Sequence, residues 1–286
     1  MSARILEVTE AQYHADPCER PSLSHSIAHT LVTRSPRHAW LEHPRLGGQQ
    51  RVATKAMDEG SVLHRLLLDA GADFDVLAFD DWRTKDARAE RDDSVARGRI
   101  PLLVKDFERL HEAAKCLKQN AANQGFPLGL PGARSELSIE FTEQVEQDHV
   151  LCRCRIDQAR ADHVLYDLKK VRSANPKDLE RIIVASAYDI QAETYTRGYE
   201  QLVPEALGRS DFVFLFCETE PPYEVVPARL DGALREIGKR RWEKAVRLWR
   251  QLLAEGSWPW PGYVDGAVIL AAPAWVMSQE LPEEFL

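Results

Sequence analysis

Hydrophobic and polar residues alternate in two segments near the middle of the chain, 150–157 and 164–169. Alternation with a period of two predicts β-strands that have one apolar and one polar face. The polar stretch between them, 158–163, can turn the chain. We therefore predict that the two segments pair as a hairpin.

The polar faces of this hairpin carry two aspartates and a lysine, Asp157, Asp167 and Lys169, in the spacing D-x9-D-x-K. Two carboxylates a few ångströms apart repel each other unless a cation lies between them. Oxygen ligands suit Mg²⁺ or Mn²⁺, and a nearby lysine can orient or deprotonate a metal-bound water. The pattern is typical of a metal-dependent phosphodiesterase, although two strands with solvated charged ends would also produce it.

A helical pattern follows the second strand. Asn175 can cap a helix and Pro176 suits its first position, and apolar residues then recur at helical spacing for about 25 residues. Gln191 and Tyr195 are four positions apart, so they project from one face of this predicted helix. An ordinary half-exposed helix face is the alternative interpretation of this pair.

The rest of the chain predicts an α/β protein with a central mixed β-sheet and helices on both faces. Further strands are predicted at 135–141, 211–218 and 223–230. Helices are predicted within 22–44 (two short ones), from Thr54 to about Asp69 with Met57 on its buried side, at 101–123 and at 231–255. The charged, turn-rich segment 73–99 is predicted to be a mobile loop.

Length and composition favour one domain. The 286 residues are 44% hydrophobic, enough for a substantial core, and no repeat or long Gly/Ser linker divides them. We predict a single domain, 1–286, with an N-terminal helical part (1–125), a catalytic sheet core (126–230) and a C-terminal helix with a Trp/Pro-rich tail (231–286).

Charge and cysteine content exclude several classes of protein. A net charge of −8 argues against a general nucleic-acid coat protein, but it allows a DNA enzyme with a local basic channel. The five cysteines form no CxxC, so no zinc site, disulfide framework or Fe–S cluster is expected. No GxxxxGK[ST] loop is present, which predicts no use of ATP.

Localisation is predicted from the same sequence. The first residues lack a basic-then-apolar signal, and the longest apolar run, 267–277, contains proline and is too short to span a bilayer. We expect a cytoplasmic protein without membrane contact.

Side chains elsewhere add candidates for the site. Gly60 and His64 are four apart on one face of the helix that starts at Thr54, and His64 is either a metal ligand or a structural histidine. Glu136 or Glu140, on the predicted strand 135–141, could add a carboxylate. Ser24 can cap a helix, and a helix N-terminus with Arg34 and Arg37 nearby could bind phosphate.

Several segments together resemble one family. The D…DxK pair and the QxxxY helix occur in order with SLSHSIAHTLVTRSPRHAWLEHP (22–44), ATKAMDEGSVLHRLLLD (53–69), RTKDARAE (83–90), SELSIEF (135–141) and the ending WPWPGY…PAW. Over nearly its whole length the chain resembles the RecE-like (exonuclease VIII) branch of the PD-(D/E)XK nuclease superfamily, which is related to λ exonuclease and the RecB nuclease domain. It departs from the family at Ile156, in place of proline, and at Lys170, in place of threonine.

The resemblance implies a PD-(D/E)XK nuclease fold and a set of roles. Metal would be held by His64, Asp157, Asp167 and the backbone carbonyl of Leu168, with Glu136 as a further carboxylate. Lys169 would position the attacking water, and Gln191 and Tyr195 would orient Lys169 or contact the scissile strand. The expected cofactor is Mg²⁺, with Mn²⁺ able to substitute. Candidate DNA contacts are Ser24, Arg34, Arg37, Lys85, Arg153, Arg155 and Lys170.

The activity implied is an ATP-independent 5′-to-3′ exonuclease that acts on the ends of linear double-stranded DNA in phage-type recombination and repair. The resemblance also implies a homo-oligomeric ring, with a tetramer favoured, and a single-strand annealing protein as a partner. Two alternatives remain open: a structure-specific or restriction-type endonuclease on the same fold, and a non-catalytic protein that binds DNA ends.

Overall fold

The computed structural model of the protein describes residues 3–48, 54–259, 270–272 and 276–277. Within these residues the strands are β1 (Arg4–Ile5), β2 (Phe74–Leu77), β3 (Ile100–Leu103), β4 (Arg134–Val145), β5 (Asp148–Ala159), β6 (Val164–Val171), β7 (Asp211–Glu218) and β8 (Val225–Ala228). Six of them form one sheet, in the order β1-β4-β5-β6-β7-β8, while β2 and β3 pair separately. The six-stranded sheet is mixed, because β6 and β7 run parallel and its other neighbouring pairs run antiparallel.

The helices over the same residues are α1 (Glu10–His14), α2 (His25–Thr33), α3 (Pro36–Glu42), α4 (Lys55–Leu68), α5 (Lys85–Ala96), α6 (Val104–Asn123), α7 (Pro176–Ala185), α8 (Tyr188–Leu202) and α9 (Gly232–Glu255). Several begin at the caps expected from the sequence. The side chains of Ser24, Ser35, Thr54 and Asn175 each accept a hydrogen bond from a backbone N–H of the helix that follows. Such a bond satisfies one of the amides that a helix start leaves without a partner.

Helices cover both faces of the sheet, which confirms the predicted architecture. On one face, residues of α2, α8 and α9 pack with the inward side chains of β4 and β5. On the other face, α4 and α6 pack against Tyr166 and Leu168 of β6 and against residues of β7. No helix among the described residues combines the length and the apolar character needed to cross a bilayer.

Three local predictions were wrong. The segment 73–99 contains β2 and α5 instead of a loop, so Lys85 is the first residue of a helix. The single helix predicted after Asn175 is interrupted, since Ala187 has a left-handed backbone (φ 50°) between α7 and α8. Met57 is 47% exposed instead of buried.

The Trp/Pro-rich tail is described only as far as Pro259. Trp258 lies edge-on to Trp249 of α9, with ring centroids 5.3 Å apart. The remainder of the motif, 260–263, lies outside the described residues.

Arg153, predicted to contact DNA, is buried instead. Its guanidinium lies 3.1 Å from the carboxylate of Asp16 and donates to the backbone carbonyl and hydroxyl of Ser22. Burial alone would raise the pKa of Asp16, but a hydrogen bond from His43 and the charge of Arg153 lower it to about 2. The pair is therefore charged at neutral pH and joins the segment before α2 to the sheet.

We expect the substitution Asp16→Ala to destabilise the protein by about 3–5 kcal/mol, because it leaves the buried charge of Arg153 without its partner. The free energy of unfolding in urea measures this effect. The matched control is Asp162→Ala, which removes the exposed pair with Arg160 and should cost at most about 1 kcal/mol. Equal losses for the two variants would contradict the structural role of Asp16.

Candidate metal centre

The two aspartates of the D…DxK pattern lie where β5 and β6 separate. The ladder between these strands contains two pairs, Gln158–Tyr166 and Ala159–Leu165. At the next position Asp157 would face Asp167, but the backbone N–H of Leu168 donates to the Asp157 carboxylate instead, at 2.7 Å. A hydrogen bond to a side chain thus takes the place of a ladder bond where the two strands separate.

The two aspartates lie on strands β5 and β6, and each carboxylate has a neighbour on a different helix. The Asp157 carboxylate lies 3.9 Å from Nε2 of His64 on α4. The Asp167 carboxylate accepts a hydrogen bond from the amide of Gln191 on α8. The hairpin prediction brought the right residues together. The Asp157 carboxylate accepts from the N–H of Leu168 on β6, and the Asp167 carboxylate accepts from the amide of Gln191 on α8.

Three side chains place possible ligand atoms within 4.8 Å of one another: His64, Glu136 and Asp157. Nδ1 of His64 lies 3.4 Å from Oε1 of Glu136. Glu136 has a left-handed backbone (φ 53°), which interrupts the β4–β5 ladder at its position. Such a conformation costs a non-glycine residue about 1–3 kcal/mol and is characteristic of functional sites.

The electrostatics of this cluster show a concentration of negative charge. Burial raises the pKa of Asp157, and the nearby charge of Asp167 raises it further, to about 7. Burial opposes protonation of His64, but Asp157 and Glu136 outweigh it and raise the pKa of His64 to about 9. The histidine proton is thus a positive charge that balances the carboxylates.

A divalent cation fits this donor set. One imidazole nitrogen and two carboxylates are ligands that Mn²⁺ accepts readily, and carboxylates with remaining waters suit Mg²⁺. A bound cation would take over the balancing charge that the His64 proton now supplies. Asp167 is outside the three-residue cluster, so its role as a ligand stays a prediction, as does that of the Leu168 carbonyl.

Lys169 and Asp167 form a second group beside the cluster. The ammonium of Lys169 lies 2.6 Å from the Asp167 carboxylate and 4.5 Å from the ring centroid of Tyr188. Burial lowers the pKa of Lys169, but the charge of Asp167 outweighs it and the pKa is raised overall. Lys169 therefore holds its proton, which suits it to orient a water or to neutralise developing charge.

Two residues of α8, Gln191 and Tyr195, were predicted to orient Lys169 or to contact the scissile strand, and these roles stay predictions. Gln191 donates to the Asp167 carboxylate, which lies 2.6 Å from the Lys169 ammonium, so it contacts Lys169 through Asp167. Tyr195 is buried, and its ring lies edge-on to His25 and Phe212. Tyr188, which contacts Lys169, was missed, although its spacing of three and seven from Gln191 and Tyr195 places all three on one helix face.

Of the remaining residues predicted to contact DNA, some are bonded to other side chains of the protein and some are exposed. Arg155 lies in the site, where it donates to Glu136 at 2.6 Å and to Ser138, so it holds a possible ligand in place. Ser24 is buried as a helix cap, and Arg34 pairs with Glu42 at 2.7 Å. The other three are exposed: Arg37, Lys85 and Lys170.

Comparison with known proteins shows that this chain shares its fold with a solved structure. No protein-family model matches the chain, and no curated protein matches its sequence. The crystal structure of a protein from Eubacterium rectale, described as a putative exonuclease, aligns with 96% of this chain and 99% of its own at 12% identity and a TM-score of 0.60. A phage related exonuclease from Haemophilus somnus 129PT aligns with 82% of this chain and 96% of its own, at 12% identity and a TM-score of 0.34. The chain therefore has the fold of the Eubacterium rectale protein.

Proposed function

We propose that this protein is a divalent-metal-dependent nuclease, and specifically a 5′-to-3′ exonuclease on linear double-stranded DNA. The observation that carries the proposal is the convergence of His64, Glu136 and Asp157 beside the Asp167–Lys169 pair. Its fold is shared with a protein described as an exonuclease, and its motifs resemble the RecE-like branch. Polarity, duplex preference and a role in recombination rest on that resemblance.

The residues divide the chemistry between them. His64, Glu136 and Asp157 would hold Mg²⁺ or Mn²⁺, with Asp167 as a further ligand. When bound, the cation lowers the pKa of a water and stabilises charge on a phosphoryl oxygen. Lys169 lies beside this position with its proton in place, so it can orient the attacking water and neutralise charge that develops on the phosphate.

The experiment that tests the proposal compares linear and covalently closed circular duplex DNA in Mg²⁺, Mn²⁺, Ca²⁺ or EDTA. We expect linear duplex to be degraded in Mg²⁺ and Mn²⁺ only, with label lost first from the 5′ ends, and closed circles to survive. Cutting of circles would support the endonuclease alternative. Binding of ends without hydrolysis in any metal would support the non-catalytic alternative.

We extend the proposal to a closed homo-oligomeric ring, with a tetramer favoured, in the cytoplasm and with a single-strand annealing protein as partner. A net charge of −8 supports it, because an acidic outer surface repels DNA while a local basic stretch can line a passage. A ring requires duplex to enter from a free end, so a bulky block on both ends should protect linear DNA. Light scattering that gives a monomer at working concentration would contradict the ring.

Gln191→Ala is expected to keep metal binding and to reduce the cleavage rate by about 10- to 100-fold, because Gln191 holds Asp167 in its position beside Lys169. The rate is measured with Mg²⁺ in excess, and Mn²⁺ affinity is measured by calorimetry. A double-mutant cycle with Lys169→Ala should be strongly non-additive, since groups that act as one unit lose their effect together. Gln251→Ala, an exposed glutamine of α9, is the control.

A further inference from the structure

Lys169 and Lys170 are consecutive on β6, so their side chains leave the strand on opposite faces. Lys169 extends towards α8, where it contacts the ring of Tyr188, and its ammonium also pairs with Asp167 of its own strand. Lys170 extends towards α4, and its ammonium donates to the backbone carbonyl of Ala56 at 2.7 Å. Strand β6 is thereby attached to a helix on each side at the position of the site.

At this contact α4 carries a glycine. A Cβ added to Gly60 would lie 2.6 Å from Nζ and 3.1 Å from Cε of Lys170. Gly60 is in a helix interior, where glycine is among the least favourable residues. The ammonium of Lys170 therefore occupies space that any other residue at position 60 would fill.

The contact lies one helical turn from a candidate metal ligand. Ala56, Gly60 and His64 follow one another at intervals of four, so they lie along one side of α4. Lys170 donates to the first of these residues and occupies the space beside the second, and the third reaches Glu136 and Asp157. The same strand fixes Asp157, because the N–H of Leu168 donates to its carboxylate.

We propose that Lys170 is a positioning residue of the metal centre: it fixes α4 on β6 and so sets the distance between His64 and Asp157. The inference rests on the proposed metal site and deepens it. It replaces the prediction from sequence that Lys170 contacts DNA. It also explains why position 60 is a glycine in this chain, since a side chain there would displace the Lys170 ammonium.

The first test measures Mn²⁺ affinity by calorimetry on the full chain. We expect Lys170→Ala and Gly60→Ala each to weaken Mn²⁺ binding about 10-fold, the size of effect that groups supporting metal ligands have. The double variant should be no weaker than Lys170→Ala alone, since both substitutions remove one contact. The matched control is Lys105→Ala, whose ammonium donates to the backbone carbonyl of Asp80 at the same distance of 2.7 Å. Its affinity should equal that of the unmodified protein.

A spectroscopic signature separates positioning from general stability. Pulsed electron paramagnetic resonance of bound Mn²⁺ detects coupling to the imidazole nitrogen of His64. We expect this coupling in the unmodified protein and in Lys105→Ala, and its reduction in Lys170→Ala and Gly60→Ala.

Thermal unfolding gives an independent readout in the absence of metal. Alanine is a better helix former than glycine, so Gly60→Ala should raise the melting temperature by about 2 °C in the Lys170→Ala background. In the unmodified background the rise should be smaller or absent, because the added methyl displaces the Lys170 ammonium from the Ala56 carbonyl. An equal shift in both backgrounds would overturn the contact.

The outcomes distinguish this inference from the proposed function. An unmodified protein that binds Mn²⁺ with nitrogen coupling, together with a Lys170→Ala variant that binds it equally well, would overturn the positioning role alone. If that variant lost DNA affinity while its Mn²⁺ affinity was unchanged, Lys170 would be a DNA-contacting residue, as the sequence predicted, and not a positioning residue. An unmodified protein without Mn²⁺ affinity would overturn the metal site and the inference together.

Discussion

Replacing Asp157 by asparagine or Lys169 by methionine is expected to reduce cleavage of linear duplex DNA by about 10³-fold or more, while the protein stays folded. Asp157→Asn removes the charge that a cation needs but keeps an oxygen that can accept the N–H of Leu168. Lys169→Met removes the ammonium and keeps the length of the side chain over Tyr188. Initial rates with Mg²⁺ in excess measure the effect.

A control on the same strand tests whether the loss is specific. Asp148→Asn changes a carboxylate at the far end of β5, which pairs with Arg250 on the surface, and should leave the rate within about twofold, as substitutions outside the chemistry do. Circular dichroism and urea unfolding confirm that the variants are folded. Near-normal turnover by a folded Asp157→Asn or Lys169→Met protein would remove these residues from the proposed site.

The sequence predicted the strands of the site because their alternation is local. The pattern in 164–169 placed Tyr166 and Leu168 on one face, and in the structure both pack against α4 and α6. The caps at Thr54 and Asn175 were recognised for the same reason, since a cap involves residues only a few positions apart. Those local features were sufficient for the α/β class and for the placing of Asp157, Asp167 and Lys169 close together. The ligand roles of His64 and Glu136 came from the family resemblance.

Features that depend on distant parts of the chain were not predicted. Alternation gave Arg153 and Asp157 the same polar face, but only the fold brings Asp16 and Ser22 against Arg153 and buries it. The separation of β5 from β6 was not predicted either. The N–H of Leu168 donates there to the Asp157 side chain instead of to the backbone of β5. The many charged residues of 73–99 suggested a solvated loop. In the structure they pair with one another, as Arg97 and Arg99 do with Asp75.

The division of the long helix was missed for a different reason. Its two parts, α7 and α8, are each amphipathic, and the apolar pattern continues across the break at Ala187. Alanine favours helices, so nothing in its type indicates a left-handed residue. The break turns α8 so that Gln191 reaches Asp167, and it therefore contributes directly to the site.

Metal binding is expected to strengthen by about 100-fold or more between pH 6 and pH 8, because protons compete with the cation for the same ligands. The pKa of His64 is raised to about 9 and that of Asp157 to about 7 in the metal-free protein. Both groups must lose their protons to become ligands. Below a ligand's pKa, each unit of pH then changes the apparent affinity about tenfold per proton released.

Calorimetric titrations with Mn²⁺ across this range, in buffers of different ionisation enthalpy, measure both the affinity and the number of protons released. His64→Gln is the informative variant, because glutamine binds no proton in this range. The number of protons released on Mn²⁺ binding should fall by the contribution of His64, and the slope of log affinity against pH should fall by the same amount. Asp148→Asn should retain the full slope. An affinity that is constant from pH 6 to pH 8 would mean that the ions do not displace these protons, and the cluster of His64, Glu136 and Asp157 would then not be the place where the metal binds.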